Sequence, residues 1–165
     1  MARKIIITLN EQSINDAIKW VEEEKKRIEN AIHSFMKMLM DEGVRVAKAN
    51  VRNKDTRETL HSIHAYFKDN KGVIVAGGKS IWLEFGTGVR KNKDGYPDEL
   101  PEGIVPIGTY GQGKGSNLNG WYYYNEKKGE VQHTFGIKAN KFMYYAKEHL
   151  ISIAPQWAND LLKDL

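Results

Sequence analysis

The chain of 165 residues contains no cysteine. That absence excludes disulfides, thiolate metal sites and cysteine nucleophiles together. Long hydrophobic runs are missing as well: no stretch approaches the roughly 20 apolar residues that span a bilayer. Proline is scarce, with four residues. Charge of one sign is barely in excess, with 25 Lys and Arg against 21 Asp and Glu for a net +4. The basic residues are interleaved with acidic ones, as in Glu22-Glu23-Glu24-Lys25-Lys26-Arg27, so the charge alone does not imply a nucleic-acid partner. That run suits a solvated helix face with weak spacing-dependent ion pairs. The opening segment has a basic pair and an Ile run, but Asn10 and Glu11 interrupt it before signal-peptide length, and the chain is expected to be unexported, with no membrane partner.

What is present reads as one globular domain over 1–165, with 41% hydrophobic and 28% charged residues close to soluble averages. Residues 3–9 suit a short strand, and Asn10 or Ser13 can cap a following helix. From there Ile14, Ile18, Val21, Ile28, Ile32, Phe35 and Leu39 recur in a 4-3 alternation interrupted only by Lys25. The spacing predicts one long amphipathic helix ending near Ala49 to Arg52, with a bend near 24–27 or at Gly43. The stripe suits packing on the chain's own sheet or a seam between subunits. The intramolecular reading is favoured because a sheet follows that needs covering.

Residues 62–68 and 72–77 are β-prone and flank Asp69-Asn70-Lys71, the composition of a tight hairpin turn. Lys79 to Phe85 suits a short helix ended by Gly86-Thr87-Gly88. Residues 86–120 hold more than half of the fifteen glycines and three of the four prolines, without a hydrophobic period; they read as a long loop or arm. Trp121-Tyr122-Tyr123-Tyr124 and Val131 to Ile137 suggest a second hairpin around Asn125–Glu130. After Asn140 the spacing of Phe142, Ala146, Leu150, Ile153, Trp157 and Leu161 is helical, and Pro155 should kink or split that helix. The expected fold class is α+β: a long N-terminal helix and a C-terminal helix on a small, mainly antiparallel sheet, with a Gly-rich insertion.

Tests for chemistry return little. Gly108 to Gly115 has the glycine and lysine spacing of a phosphate-binding loop. However, Gly115 stands where a Ser or Thr should meet magnesium, and an aromatic strand follows where a helix is needed. His61 and His64 fall in a region read as strand and point to opposite faces; His33, His133 and His149 are isolated. Glu84, between Leu83 and Phe85, lacks a paired carboxylate at general-base spacing, so capping nearby backbone N–H groups or pairing with a cation is the favoured role. The Tyr run beside Lys127 and Lys128 can stack single-stranded bases, but alternation is expected to send half of its rings inward. No catalytic residue, metal site or cofactor is assigned.

The stretch Ile81-Trp82-Leu83-Glu84-Phe85-Gly86-Thr87-Gly88 resembles a signature of the small tail-component family of long-tailed bacteriophages and prophages, with Glu84, Phe85, Gly86 and Thr87 matching one by one. Gly86 lets the chain turn, and Phe85 can anchor that turn to the core. Upstream, Asp55-Thr56-Arg57-Glu58-Thr59-Leu60-His61-Ser62-Ile63 is similar to a second segment of that family, with Arg57 replacing a glycine and Leu60 displaced by one. Downstream, Ala139-Asn140-Lys141-Phe142-Met143-Tyr144-Tyr145-Ala146 is similar to a third, with Lys141 replacing a proline; Ala139, Asn140, Phe142, Met143 and Ala146 carry the match.

The resemblance implies a non-enzymatic virion protein at the head-proximal end of the tail, made in the host cytoplasm. It implies a tail-completion or head–tail joining subunit that forms a homo-oligomeric ring of about six subunits and contacts tail tube and head–tail connector proteins. The 86–120 segment, with Arg90, Lys91, Lys93 and Lys114, then becomes a candidate assembly arm that orders on contact and brings charge near DNA in the lumen. Alternatives are a tail terminator or head–tail connector subunit and, from another class, a nucleic-acid-binding protein using the basic loop and the Trp/Tyr run. An enzyme with a tertiary site around Glu84 or the histidines stands third.

Overall fold

A computed structural model describes residues 10–52, 57–88 and 119–164. The strand expected over 3–9, the Asp55-Thr56 pair and nearly all of the 86–120 arm, with Arg90, Lys91, Lys93 and Lys114, lie outside the described residues. The elements in order are α1 (Glu11–Asn50), α2 (Arg57–Ser62), β1 (His64–Lys68), β2 (Lys71–Val75), α3 (Ser80–Phe85), β3 (Trp121–Asn125), β4 (Glu130–Thr134) and α4 (Phe142–Asp164). The class is α+β, and the strands form two separate antiparallel pairs, β1–β2 and β3–β4. The chain divides into two compact units, Met1–Leu39 with Ile153–Leu165, and Met40–Ser152.

Helix α1 starts where the cap was expected: the Asn10 side-chain oxygen accepts from Ser13 N at 2.8 Å, satisfying a donor that the first helical turn leaves open. It continues through residues 24–27 and Gly43 as a single helix and ends at Asn50. In the first unit the predicted stripe does not face inward. Ile14, Ile18, Val21, Ile28 and Ile32 are 43–55% exposed, while the neighbouring set Ser13, Ala17, Trp20, Glu24, Arg27 and Ala31 is half-buried. The intramolecular reading of the stripe is thus corrected for this half of the helix. The helix carries two adjacent rows of suitable residues, and the row led by Trp20 and the two alanines is the covered one.

In the second unit a buried cluster of Ala47, Ile63, Leu83, Phe142 and Ala146 gathers α1, α3, α4 and the residue after α2, with Val44, Val46, Val51, Ala76 and Met143 against it. Gly43 is buried because β2 and α4 both approach α1 there: a Cβ at this position would meet the Ile74 methyl first and stand 2.8 Å from a Leu150 methyl. Helix α2, from Arg57 to Ser62, occupies a stretch whose end had been read as strand, so His61 is helical while His64 opens β1. Ser62 holds this junction, donating to Thr59 O at 2.8 Å and accepting from Gly77 N at 3.1 Å.

The first hairpin pairs His64 with Val75 through Lys68 with Lys71. Its two-residue loop places Asp69 at φ +50 and Asn70 at φ +58, the mirror-image turn that matches strand twist and that Asp and Asn tolerate best among side-chain-bearing residues. The second hairpin pairs Trp121 with Thr134 through Asn125 with Glu130; Asn125 closes its loop by accepting from Lys127 N at 3.1 Å. β4 stops at Thr134, three residues short of the expected Ile137.

Helix α4 runs unbroken through Pro155 to Asp164, so the expected split does not occur. The ring of Pro155 removes one donor, and the carbonyl it leaves belongs to Ile151. Both residues lie on the exposed side of α4, and Ile151 is 62% exposed, so water can satisfy the freed oxygen.

Candidate functional site

The residues of the two signature stretches meet in space. Helix α4 has no acidic residue in its own first turn, yet two of its opening N–H groups are engaged by a carboxylate from elsewhere in the chain. Glu84 Oε2 accepts from Met143 N and Glu84 Oε1 from Tyr144 N, each at 2.9 Å. The main chain adds two rungs, Asn140 N to Leu83 O at 2.7 Å and Lys141 N to Glu84 O at 3.2 Å. Glu84 is 4% exposed. A buried carboxylate without partners is costly; here both oxygens accept from amides, and the charge lies at the positive end of a helix dipole. The favoured capping role therefore falls on the first turn of α4 and not on the turn that follows α3.

Asn140 performs the reciprocal service for α1. In the orientation that satisfies both of its ends, its amide nitrogen donates to Asn50 O at 3.0 Å and its oxygen accepts from Arg52 N at 2.9 Å. One side chain thus occupies an orphan carbonyl at the end of α1 and fixes the segment that leaves it. Phe142 and Ala146, at 0% and 3% exposure, fill the core beneath. Met143 packs against that core, and Ala139 is half-buried. Leu83, not Phe85, is the residue of α3 in the buried cluster; Phe85 is half-buried.

Beyond α3 the chain turns at Gly86, whose φ of 73° and ψ of 178° belong to a region open essentially to glycine alone. A Cβ there would stand 2.6 Å from Ile137 O and 2.7 Å from Ala139 N. Thr87 then pairs with Ile137 in both directions: Thr87 N donates to Ile137 O at 2.8 Å, and Ile137 N donates to Thr87 Oγ1 at 3.0 Å. Gly88, also at positive φ, lies against Phe135 and Trp121. The chain entering the 86–120 segment is therefore held against the chain that follows β4.

The φ of Lys141 is +57. Proline is locked near −65 and cannot adopt this conformation.

The remaining candidates do not join this site. His133 Nε2 lies 2.8 Å from Asn119 O, and His64 Nδ1 lies 2.8 Å from Ser62 O. Among the described residues no group of three His, Asp or Glu side chains is placed to hold a metal ion. The sequence did not single out one polar cluster in the second unit: Glu42 takes two hydrogen bonds from Arg45, at 2.7 and 2.6 Å, and lies 2.7 Å from His149 Nε2. Arg45 foremost, helped by His149, holds the Glu42 carboxyl down at about 2 against the opposing effect of burial. The readable signal was Glu42 itself, a charge in the 4-3 spacing of α1 where an apolar residue was due.

The tyrosines also depart from expectation. Tyr122, Tyr123 and Tyr124 are 67%, 42% and 62% exposed; among the described residues β3–β4 is a separate two-stranded sheet and none of the three is buried. Tyr122 stacks against its cross-strand partner His133 at 4.8 Å between ring centroids, and His133 meets Phe135 edge-on at 4.8 Å. Among the described residues no helix is long and apolar enough to cross a membrane. No protein-family model, curated protein or solved structure matches this chain.

Proposed function

We propose that the protein is a structural subunit of a bacteriophage or prophage tail, a tail-completion or head–tail joining component that acts by assembling into a ring of about six copies. One observation carries this reading beyond the sequence resemblance. The two signature stretches, 81–88 and 139–146, form a single buried junction in which Glu84 is committed to the first turn of α4. A carboxylate so engaged serves architecture rather than proton transfer. The junction also holds the start of the 86–120 segment, Gly86 to Gly88, against the chain that follows β4, as a base for a candidate arm that contacts neighbouring subunits and the tail tube. Tail terminator and head–tail connector subunits are sister roles of the same design. The test is reconstitution: purified protein added to tail tube protein should cap tube ends with rings in electron micrographs, and a gene position between portal or capsid and major tail genes should accompany it. A chain that remains apart from tubes under all conditions contradicts the proposal.

A second reading has its own support in the open tyrosine face of β3 with Lys127 and Lys128 in the adjoining turn. Such a surface stacks single-stranded bases. Its affinity for an oligonucleotide should fall steeply with salt and be lost when Tyr122 and Tyr124 are replaced by Ala.

A further inference from the structure

We infer that the exposed stripe of α1 pairs antiparallel with the same stripe of a second copy, making an isologous dimer through Ile14, Ile18, Val21, Ile28 and Ile32. The five side chains stand 43–55% exposed along one face of a continuous helix. From Ile14 to Ile32 they span roughly 27 Å at 1.5 Å per residue. A row of this length in 4-3 spacing is the surface that packs knobs into holes against another helix.

The arrangement of the row accommodates a second copy running the opposite way. The positions are symmetric about residue 23: with a second helix running the opposite way, Ile14 comes level with Ile32, Ile18 with Ile28, and Val21 with Lys25. Every isoleucine then meets an isoleucine, and an a-type position faces a d-type position in each layer, the rule for antiparallel pairs. Any 4-3 row shares this symmetry of spacing; what suits the row to a second copy is the charge complement between Lys25 and Glu22 on its flank.

Charge fixes the same orientation. Lys25 is the one charged residue in the row between Ile14 and Ile32, and its own intrahelical ion pair is loose: 3.9 Å to Glu29, with the two side chains 73% and 63% exposed. Parallel, in-register pairing would bring Lys25 level with its counterpart in the seam, a like-charge contact away from water. Antiparallel pairing places Lys25 beside Glu22 of the other copy, on the open flank of the stripe, and the symmetry repeats the contact. The opposite flank carries the half-buried row of Ala17, Glu24 and Ala31, so the second helix approaches from the side of Glu22 and Glu29. A two-fold contact of this kind closes with two copies. It does not rest on the tail reading and would exist in the isolated protein before any larger assembly.

The native absence of cysteine makes the orientation directly testable. Single variants Ile14→Cys and Ile32→Cys are oxidised separately and as a mixture, with mass in solution followed over a concentration series. The expected result is a dimer and a disulfide that forms only in the mixture. Crosslinking of Ile14→Cys with itself overturns the orientation. A chain that stays monomeric throughout, including one that captures some other protein on this face, overturns the pairing. Ile18→Glu should weaken dimerisation about tenfold or more with helical circular dichroism unchanged. Unaltered dimerisation of that variant also overturns the inference. Lys25→Ile should tighten association and abolish the preference for the mixed crosslink; retention of that preference would show that Lys25 does not set the orientation.

Discussion

Glu84 and Met143 lie 59 positions apart in the chain and are joined by a 2.9 Å hydrogen bond from the Met143 amide to the Glu84 carboxylate. With the Tyr144 amide on the other oxygen, this bond is what starts α4 where it starts. Replacing Glu84 by Gln keeps the volume but removes the charge and turns an amide group toward a helix N–H. The expected loss is about 2 kcal/mol, and more for Glu84→Ala, which leaves the buried N–H groups without that acceptor. Urea denaturation of the purified variants measures this. Unchanged stability in Glu84→Gln would show that the cap is not what holds the junction.

Gly86 and Lys141 should respond in opposite directions. Gly86→Ala combines a backbone conformation closed to side chains with a contact of 2.6 Å to Ile137 O, and should cost about 3 kcal/mol or prevent folding. Lys141→Gly relieves a left-handed conformation at φ +57 and should gain up to about 1 kcal/mol. Lys141→Pro should be severely destabilising, because its ring forbids this φ. Thermal melts of the three variants provide the comparison.

Stability should depend on pH through Glu42. Its carboxyl lies at about 2 in the folded chain against an ordinary 4.5, so the folded state binds the proton less readily than the unfolded one. The contribution is therefore complete above about pH 4.5 and is lost as pH falls toward 2. Glu42→Gln should flatten the melting temperature across that window. A profile of the same slope in wild type and variant would exclude this origin.

The β1–β2 turn should tolerate glycine and reject β-branched residues. Asn70→Gly fits φ +58 at no steric cost and should leave stability equal or slightly higher. Asn70→Val should cost about 1–2 kcal/mol, readable by denaturant titration.

How much of this was legible in the sequence differed from element to element for physical reasons. Short-range chemistry was readable: Asp69-Asn70 announced a tight hairpin, Asn10 announced a helix start, and Gly86 announced a turn. The period of α1 was readable too, but its inward face was not. Trp20 with small residues at Ala17 and Ala31 makes one usable row and the isoleucines make another beside it, and periodicity does not choose between adjacent rows. Alternation misled at Tyr122–Tyr124 because it presumes that one face of a sheet is covered, and β3–β4 has no layer directed against it in the described core. The partner of Glu84 was hidden because the helix it caps begins some sixty residues later. What the sequence offered was a carboxylate between two apolar residues, and its burial was the readable half of the answer.

The proposed role is that of a ring-forming part of a tail. The most direct measurement is electron microscopy of tail tubes polymerised with the purified protein, classified by symmetry at the tube ends. The account predicts closed rings seated at one end of each tube, and loss of those rings when Glu84→Ala loosens the base of the arm. Bare tube ends in the presence of folded, excess wild-type protein would contradict it.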